Sequence, residues 1–274
     1  MQTFFDGKNT VLRDADCLDI ALTLDCGQAF RWQKSDDGKW HGVAMDTPLV
    51  VEQKENDIIF YDTTLETFEK KWKNYFDLDR DYNSILTAFK GDELLGKTVS
   101  DYYGIRILVQ DSWEALFSFV FSSSNNIKRI RGFIEKISKE YGEKLGGGSY
   151  AFPSVEAMAS VKKEEFRMLG AGYRDAYLVS CAQKVKNGEI DLDEIKKMDL
   201  PEARKKLMTI DGVGPKVAEC ALLFGFNRLD AFPVDRWIKR VLEFYPNGLP
   251  ECFKGYEGIA QQYMFHYARM NLGA

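Results

Sequence analysis

The apolar pattern of this chain changes period once, near residue 100, and that change limits the fold to a layer of strands followed by a body of helices. Before the change lie short β-rich runs, Phe30–Gln33, Trp40–Ala44, Leu49–Glu52 and Ile58–Tyr61. They are punctuated by Ser35-Asp-Asp-Gly38 and Glu55-Asn-Asp57, which supply turn residues. A helix is expected near Thr64–Tyr75. From Ser112 onward the period becomes helical, with Trp113, Leu116, Phe117, Val120 and Phe121 on one face. Further helices are expected over Gly132–Tyr141, Ser154–Ala159, Lys163–Leu169, Asp175–Lys186, Leu192–Lys197 and Pro201–Thr209. Gly146-Gly-Gly148 reads as a flexible joint, and no repeat recurs at a fixed period. The expected class is α+β: an antiparallel sheet domain with a flanking helix over residues 1–100, then a mainly α-helical domain over 101–274.

Composition removes several classes of function. The five cysteines (Cys17, Cys26, Cys181, Cys220, Cys252) are far apart and form no C-x-x-C, which argues against zinc, iron–sulfur clusters and a disulfide framework. With only His41 and His266, a histidine metal site or histidine base is disfavoured. The longest apolar run, about Ala115–Phe121, is far short of a membrane span. Met1–Thr10 lacks the basic head and apolar stretch of a signal peptide. The reading is therefore a soluble intracellular protein, cytoplasmic or nucleoid-associated in a bacterium or archaeon, with no membrane partner and acting as a monomer. Net charge is −5, but residues 1–100 hold 19 Asp/Glu against 12 Lys/Arg, while residues 201–240 hold 8 Lys/Arg against 5 Asp/Glu. Local positive surface, not the total, is what engages phosphates, so the balance leaves nucleic acid open as a partner.

The chemistry concentrates in Leu207-Met-Thr-Ile-Asp-Gly-Val-Gly-Pro-Lys-Val-Ala-Glu-Cys220. A helix is expected to end at Thr209 or Ile210, Gly212-Val-Gly214 to reverse the chain with positive φ, and Pro215 to open the next helix. Backbone N–H groups at such a turn form a nest for a phosphate, although a plain helix–turn–helix corner has the same glycines. Lys216 falls in the first helical turn, where the macrodipole disfavours an ammonium. It reads either as a solvated or phosphate-bound lysine, or as an amine held neutral for nucleophilic attack. Asp235 precedes the helical pattern Ile238, Val241, Leu242 and reads first as an N-cap. If the chain returns after about Phe226, this carboxylate comes back near Lys216. An amine beside a fixed anion is suited to displacing a leaving group from a sugar carbon through an oxocarbenium-like state. Too close an ion pair would stabilise the ammonium, so a base-sized gap between the two is expected.

Ile210-Asp-Gly-Val-Gly-Pro-Lys216 with Val234-Asp235 resembles the helix-hairpin-helix, Gly/Pro-rich loop and Asp motif of base-excision glycosylases. Within that superfamily the chain most resembles the 8-oxoguanine DNA glycosylases. Gly27-Gln-Ala-Phe-Arg-Trp32, Gly104-Ile-Arg-Ile-Leu-Val-Gln-Asp111, Leu116-Phe-Ser-Phe through Ser124-Asn-Asn-Ile-Lys-Arg129, and Leu169-Gly-Ala-Gly-Tyr-Arg174 extend the likeness over nearly the whole chain. The resemblance implies a TATA-binding-protein-like sheet domain before a helix-hairpin-helix glycosylase body, with the hairpin at about 207–220. It implies that Lys216 attacks C1′ of a flipped-out nucleotide, expels 8-oxoguanine, forms a Schiff base and nicks the strand by β-elimination, assisted by Asp235. It assigns the Gly27 carbonyl to the N7 hydrogen of the lesion, Gln261 to the Watson–Crick edge, and Phe265 and Cys220 to the two faces of the base. Tyr173 corresponds to the wedge that fills the vacated stack, Asn125 to a residue near the estranged base, and Arg129 and Arg174 to the arginines on the estranged cytosine. Gly212 and Gly214 correspond to the DNA-binding hairpin turn.

Two departures bear on selectivity. Ser124 stands where the family often has an additional asparagine, and Trp237 where animal and fungal members have a histidine at a phosphate contact. No cofactor is implied for catalysis; a structural cation at the hairpin–phosphate contact is compatible with the turn. The implied partner is double-stranded DNA containing oxidised guanine. Two rivals remain: a superfamily member for another damaged base, and a non-catalytic protein using the hairpin as a phosphate clamp. The four-cysteine cluster of endonuclease III-like and adenine-removing members has no counterpart here, because only Cys252 follows Cys220.

Overall fold

The computed structural model describes residues 1–272. Six strands, β1 (Gln2–Phe5), β2 (Thr10–Arg13), β3 (Trp32–Lys34), β4 (Trp40–Ala44), β5 (Thr47–Lys54) and β6 (Asp57–Phe60), form one antiparallel sheet in the order β1-β2-β6-β5-β4-β3. Helix α1 (Ile20–Asp25) lies between β2 and β3. The expected helix near 64–75 is a broken one: α2 (Leu65–Thr67), a π turn over Phe68–Trp72, then α3 (Lys73–Tyr75). Its Phe68, Trp72, Tyr75 and Phe76 cover the sheet, together with the fully buried Trp32, Val51 and Phe60. Trp32 donates from Nε1 to the Tyr75 hydroxyl at 2.8 Å and faces Trp72 edge-on at 6.4 Å. Its partner across the ladder is Gly42, where any Cβ would strike the indole, so the glycine is what admits the tryptophan.

The helical body runs through α4 (Tyr82–Phe89), α5 (Glu93–Asp101), α6 (Ser112–Ser122) and α7 (Ile127–Tyr141). It continues with α8 (Val155–Ser160), α9 (Lys163–Leu169), a 3-10 turn at Gly172–Arg174, α10 (Asp175–Lys186) and α11 (Leu192–Lys197). The last helices are α12 (Leu200–Leu207), α13 (Pro215–Gly225), α14 (Arg236–Leu242) and α15 (Glu257–Asn271). Their starts are written in the sequence: Asp19, Asp81, Asp92, Asp111, Asn126, Ser154, Asp191, Asp199 and Asp235 each accept an N–H of the first turn. Three acidic residues of the first hundred, Asp19, Asp81 and Asp92, are thereby accounted for as caps.

Three expectations need correction. Helix α6 is not one-faced: Ala115, Ser118 and Phe119 are buried as well as the expected stripe, because the helix forms the centre of the body and packs against α13. There Gly225 leaves the space that Ala115 fills. Gly146-Gly-Gly148 is not a joint but the reversal of a small hairpin, β7 (Lys144–Gly146) with β8 (Ser149–Tyr150), and all three glycines have positive φ. Packing also crosses residue 100: Tyr82, Ile85, Phe89, Leu95 and Val99 belong to the helical core, whereas Leu108 belongs to the sheet core. Among the described residues no helix is long and apolar enough to cross a membrane.

Candidate active site

Helix α12 ends at Leu207 and α13 begins at Pro215, so the turn between them is the expected hairpin. Of its two glycines only Gly212 has positive φ, at 77°, and a Cβ there would also run into the Tyr177 ring. Gly214 is extended (φ −94°, ψ −179°) and caps α13, with open space where its side chain would be. The expected positive φ therefore applies to Gly212 alone. What Gly214 contributes is an uncovered backbone. The N–H groups of Gly212 and Gly214 have no partner among the described residues. With the orphan N–H groups of the first turn of α13, they form a surface that a phosphate can occupy. On the far side, the Lys184 ammonium donates to the Thr209 carbonyl.

Lys216 is half-buried in the first turn of α13, with its Nζ 5.8 Å from the centre of the Phe119 ring. Asp235 caps α14 as expected: one oxygen, Oδ1, accepts from the N–H groups of Trp237 and Ile238, both at 2.9 Å. That leaves Oδ2 for other work. Among the described residues no ion pair within 4.0 Å joins Lys216 to Asp235. Both act on one thiol nevertheless. Burial pushes the Cys220 thiol up, the Lys216 ammonium opposes this through charge and a hydrogen bond, and the Asp235 carboxylate reinforces it. Lys216 and Cys220 thus lie together on α13, close enough for the Asp235 charge to reach the thiol, while amine and carboxylate form no ion pair.

Helix α15 packs against α14 and carries Gln261 and Phe265. Gln261 is 4% exposed, and its Nε2 donates to the Pro233 carbonyl at 3.1 Å. Its Oε1 is buried with no partner. An unpartnered buried acceptor costs roughly 1–3 kcal/mol, which is expected where a ligand supplies the missing donor. One turn on, Phe265 is half-buried under the Arg269 guanidinium. A Cβ on Gly27 would lie 3.7 Å from this ring and 3.0 Å from Ile127, so Gly27, φ 84°, sits beside Phe265. Its neighbours are pinned: Gln262 donates to the Cys26 carbonyl at 2.9 Å, and the Gln28 amide bridges Thr23, Arg106 and Leu108. The Gly27 backbone is thereby fixed to within a hydrogen bond on either side.

A second group gathers beside α6 and α10. Tyr173 is 56% exposed and meets Tyr177 edge-on at 6.1 Å, so it projects from the same ring cluster that backs the hairpin turn. Arg174 is not the surface arginine that its residue type implies. It is 3% exposed, donates to the Ser123 and Ser124 carbonyls at 2.6 and 2.7 Å, and lies over the Tyr173 ring at 4.3 Å. Its guanidinium is therefore spent on holding the α6–α7 loop. Arg129 is exposed and donates to the Gly170 carbonyl at 3.1 Å. Asn125 bonds locally to the Phe121 carbonyl and the Asn126 N–H. Ser124 has φ 47°, a left-handed conformation that asparagine tolerates better, which gives a backbone reason for the family's usual residue. Trp237 lies beneath both Arg236 (4.8 Å) and Arg240 (5.2 Å) on α14.

Phe119, whose ring lies under the Lys216 side chain, is off the expected apolar stripe of α6 and carries no signal of this contact in the sequence. Glu219, within the hairpin stretch, and the Pro233 carbonyl, just before Val234-Asp235, carry no signal of their own in the sequence, because their roles rest on contacts between distant segments. Among the described residues no group of three or more His, Cys, Asp or Glu is placed to hold a metal ion.

A sheet domain joined to a helical body with a lysine-bearing hairpin defines a class, the helix-hairpin-helix base-excision proteins. Residues 117–246 match the family model of the HhH-GPD superfamily base excision DNA repair proteins, and residues 10–116 match that of the N-terminal domain of 8-oxoguanine DNA glycosylase. The 8-oxoguanine glycosylase/lyase of Clostridium acetobutylicum, solved with double-stranded DNA containing cytosine opposite 8-oxoguanine, is similar over 100% of this chain and 99% of its own, with 34% identity and a TM-score of 0.94. An N-glycosylase/DNA lyase of Arabidopsis thaliana is 30% identical over 83% of this chain and 66% of its own length, and one of Saccharomyces cerevisiae is 29% identical over 86% and 69%. The chain belongs to the 8-oxoguanine DNA glycosylase family.

Proposed function

We propose that this protein is a bifunctional DNA glycosylase and abasic-site lyase that excises 8-oxoguanine from duplex DNA and then nicks the strand. The observation that carries the substrate is the buried, unpartnered Oε1 of Gln261. Guanine offers N–H donors on its Watson–Crick edge, and a flipped guanine between Phe265 and Cys220 satisfies that acceptor. The Gly27 carbonyl then accepts the N7 hydrogen that 8-oxoguanine has and guanine lacks.

In the reaction, the unprotonated Lys216 amine forms a bond to C1′ as the C1′–N9 bond breaks, its electron pair leaving with the base. The Asp235 carboxylate, through its uncapped Oδ2, stabilises the positive charge that develops on the sugar. Opening of the sugar ring gives a Schiff base, and loss of a C2′ proton expels the 3′ phosphate by β-elimination. Arg129, Asn125 and Tyr173 attend the unpaired strand, and Gly212 and Gly214 with Trp237 hold the backbone of the damaged one. Arg174 serves by fixing the loop that carries Asn125. The reaction requires no cofactor. A cation at the hairpin is an addition, and the Lys184 ammonium already meets the Thr209 carbonyl there. We assign the activity to an intracellular monomer.

The test is the identity of the released base. Duplexes carrying 8-oxoguanine, guanine or 3-methyladenine opposite cytosine or thymine are incubated with the protein, and free bases are identified by mass spectrometry. Release of 8-oxoguanine is expected; release of the alkylated base alone would assign the chain to another branch of the superfamily. Repeating the assay with each of the four bases opposite 8-oxoguanine measures what Ser124 does to selectivity.

A further inference from the structure

Helix α13 carries a buried carboxylate one turn beyond Lys216. Glu219 is 6% exposed, although it lies among otherwise apolar neighbours, Ala218, Ala221, Leu222 and Leu223. Such a group persists only where its oxygens are both bonded. Here Oε1 accepts from Nε of Arg204 on α12, and Oε2 accepts the Phe232 N–H at 2.7 Å. Phe232 begins the segment Phe232-Pro-Val-Asp235, which links α13 to α14. The carbonyl of the next residue, Pro233, receives the Gln261 amide at 3.1 Å, and the segment ends on the Asp235 cap. One carboxylate on the lysine helix therefore suspends the strand of backbone that holds Gln261 on one side and presents Asp235 on the other.

We propose that Glu219 is a positioning residue for base excision: it fixes the distance of Asp235 and of the Gln261 amide from Lys216. The inference rests on the function proposed above. Without the Phe232 bond, the segment loses its only described hydrogen bond to α13 and keeps apolar contacts alone, which do not fix a distance, so both groups drift relative to the amine. Base excision needs the Asp235 carboxylate at the sugar and the base seated against Gln261. Cleavage of an abasic site already formed needs neither, since an open aldehyde condenses with the Lys216 amine without an oxocarbenium state. Glu219 should therefore act on the first step and leave the second.

Single-turnover excision of 8-oxoguanine and cleavage of a preformed abasic duplex are measured side by side. Glu219→Met removes both bonds at nearly constant volume. Glu219→Asp keeps a charge opposite Arg204 but is too short to hold Phe232 as well, and serves if the first variant does not fold. Arg204→Met/Glu219→Gln keeps an acceptor for Phe232 with no competing donor. Excision should fall about tenfold or more in the first two variants, with abasic cleavage within about threefold of the parent, and the double variant should retain both activities. A parallel fall in both activities, or no fall in either, would overturn the role of Glu219. If the parent protein itself releases no 8-oxoguanine, the proposed function fails and not this inference alone.

Discussion

Gln261 shows most sharply how a single residue can work against the fold and for the chemistry. Its Nε2 is paired and its Oε1 is buried without a partner. Leucine has nearly the same volume and no polar atom to strand. Gln261→Leu should leave the protein as stable as the parent or up to about 1 kcal/mol more stable in urea. Excision of 8-oxoguanine should nevertheless fall by about 100-fold, with abasic-site cleavage retained. A stability loss above about 2 kcal/mol would mean that the Pro233 bond outweighs the stranded acceptor. Asp235 makes the complementary case. Asparagine caps a helix about as well as aspartate, so Asp235→Asn should leave the melting temperature unchanged while slowing base release by about 10- to 100-fold. A comparable loss of melting temperature would assign the residue to the cap alone. Neither Gln261 nor Gly27 could be recognised from spacing or composition. Gln261 looks like an ordinary helical glutamine and Gly27 like a turn, and only the resemblance singled them out. Asp235 and Pro215, by contrast, follow the local rules of helix starts and were legible as such.

Among the elements, the hairpin turn separates two roles that the sequence presented as one. Gly212 has φ 77° and abuts Tyr177, so Gly212→Ala strains the backbone and clashes with a ring. A stability loss of about 2 kcal/mol or more is expected in chemical unfolding. Gly214 has an extended backbone and open space, so Gly214→Ala should cost less than about 1 kcal/mol while weakening duplex binding at low salt. Equal stability losses would show that the turn needs both glycines for folding. The strands show the same division between legible and hidden. Four of the six followed from β-branched and aromatic runs between turn residues. β1 was missed because it lies on the sheet edge with its side chains mostly exposed, and β2 because its inward positions are Thr10 and Leu12 with the apolar Val11 between them, so burial alternates where the residue types do not. The glycine triplet of the β7–β8 hairpin was misread because positive φ serves a flexible joint and a tight turn alike.

At the scale of the whole molecule, a largely enclosed ion pair links the two layers. Arg31, just before β3, faces Glu114 of α6 at 3.5 Å and also donates to the Tyr150 carbonyl of the small hairpin. Burial raises the Glu114 carboxyl from 4.5 to about 7, against the attraction of Arg31 and with a further push from Asp111. The folded protein therefore binds this proton more tightly than the unfolded chain does. The stabilising contribution is complete below pH about 4.5 and is lost as pH rises to about 7. The parent should lose on the order of 1–3 kcal/mol of stability across that interval, and Glu114→Gln should flatten the loss. An identical pH profile for the two in urea unfolding would remove Glu114 as the cause. The overall order of the chain, strands then helices, was readable from the change in period. The joining of the layers was not, because it depends on pairs such as Arg31 and Glu114 that lie far apart in sequence and carry no pattern.

The central claim is that Lys216 forms a covalent bond to the sugar from which the base departs. Borohydride reduces such a Schiff base to a stable amine and so traps protein on DNA. The parent protein, incubated with a duplex bearing 8-oxoguanine opposite cytosine, should give a covalent adduct in borohydride. Lys216→Gln should give none, while still shifting the duplex in a binding gel. Absence of an adduct from the active parent, or an undiminished adduct from Lys216→Gln, would contradict the assignment of Lys216 as the nucleophile.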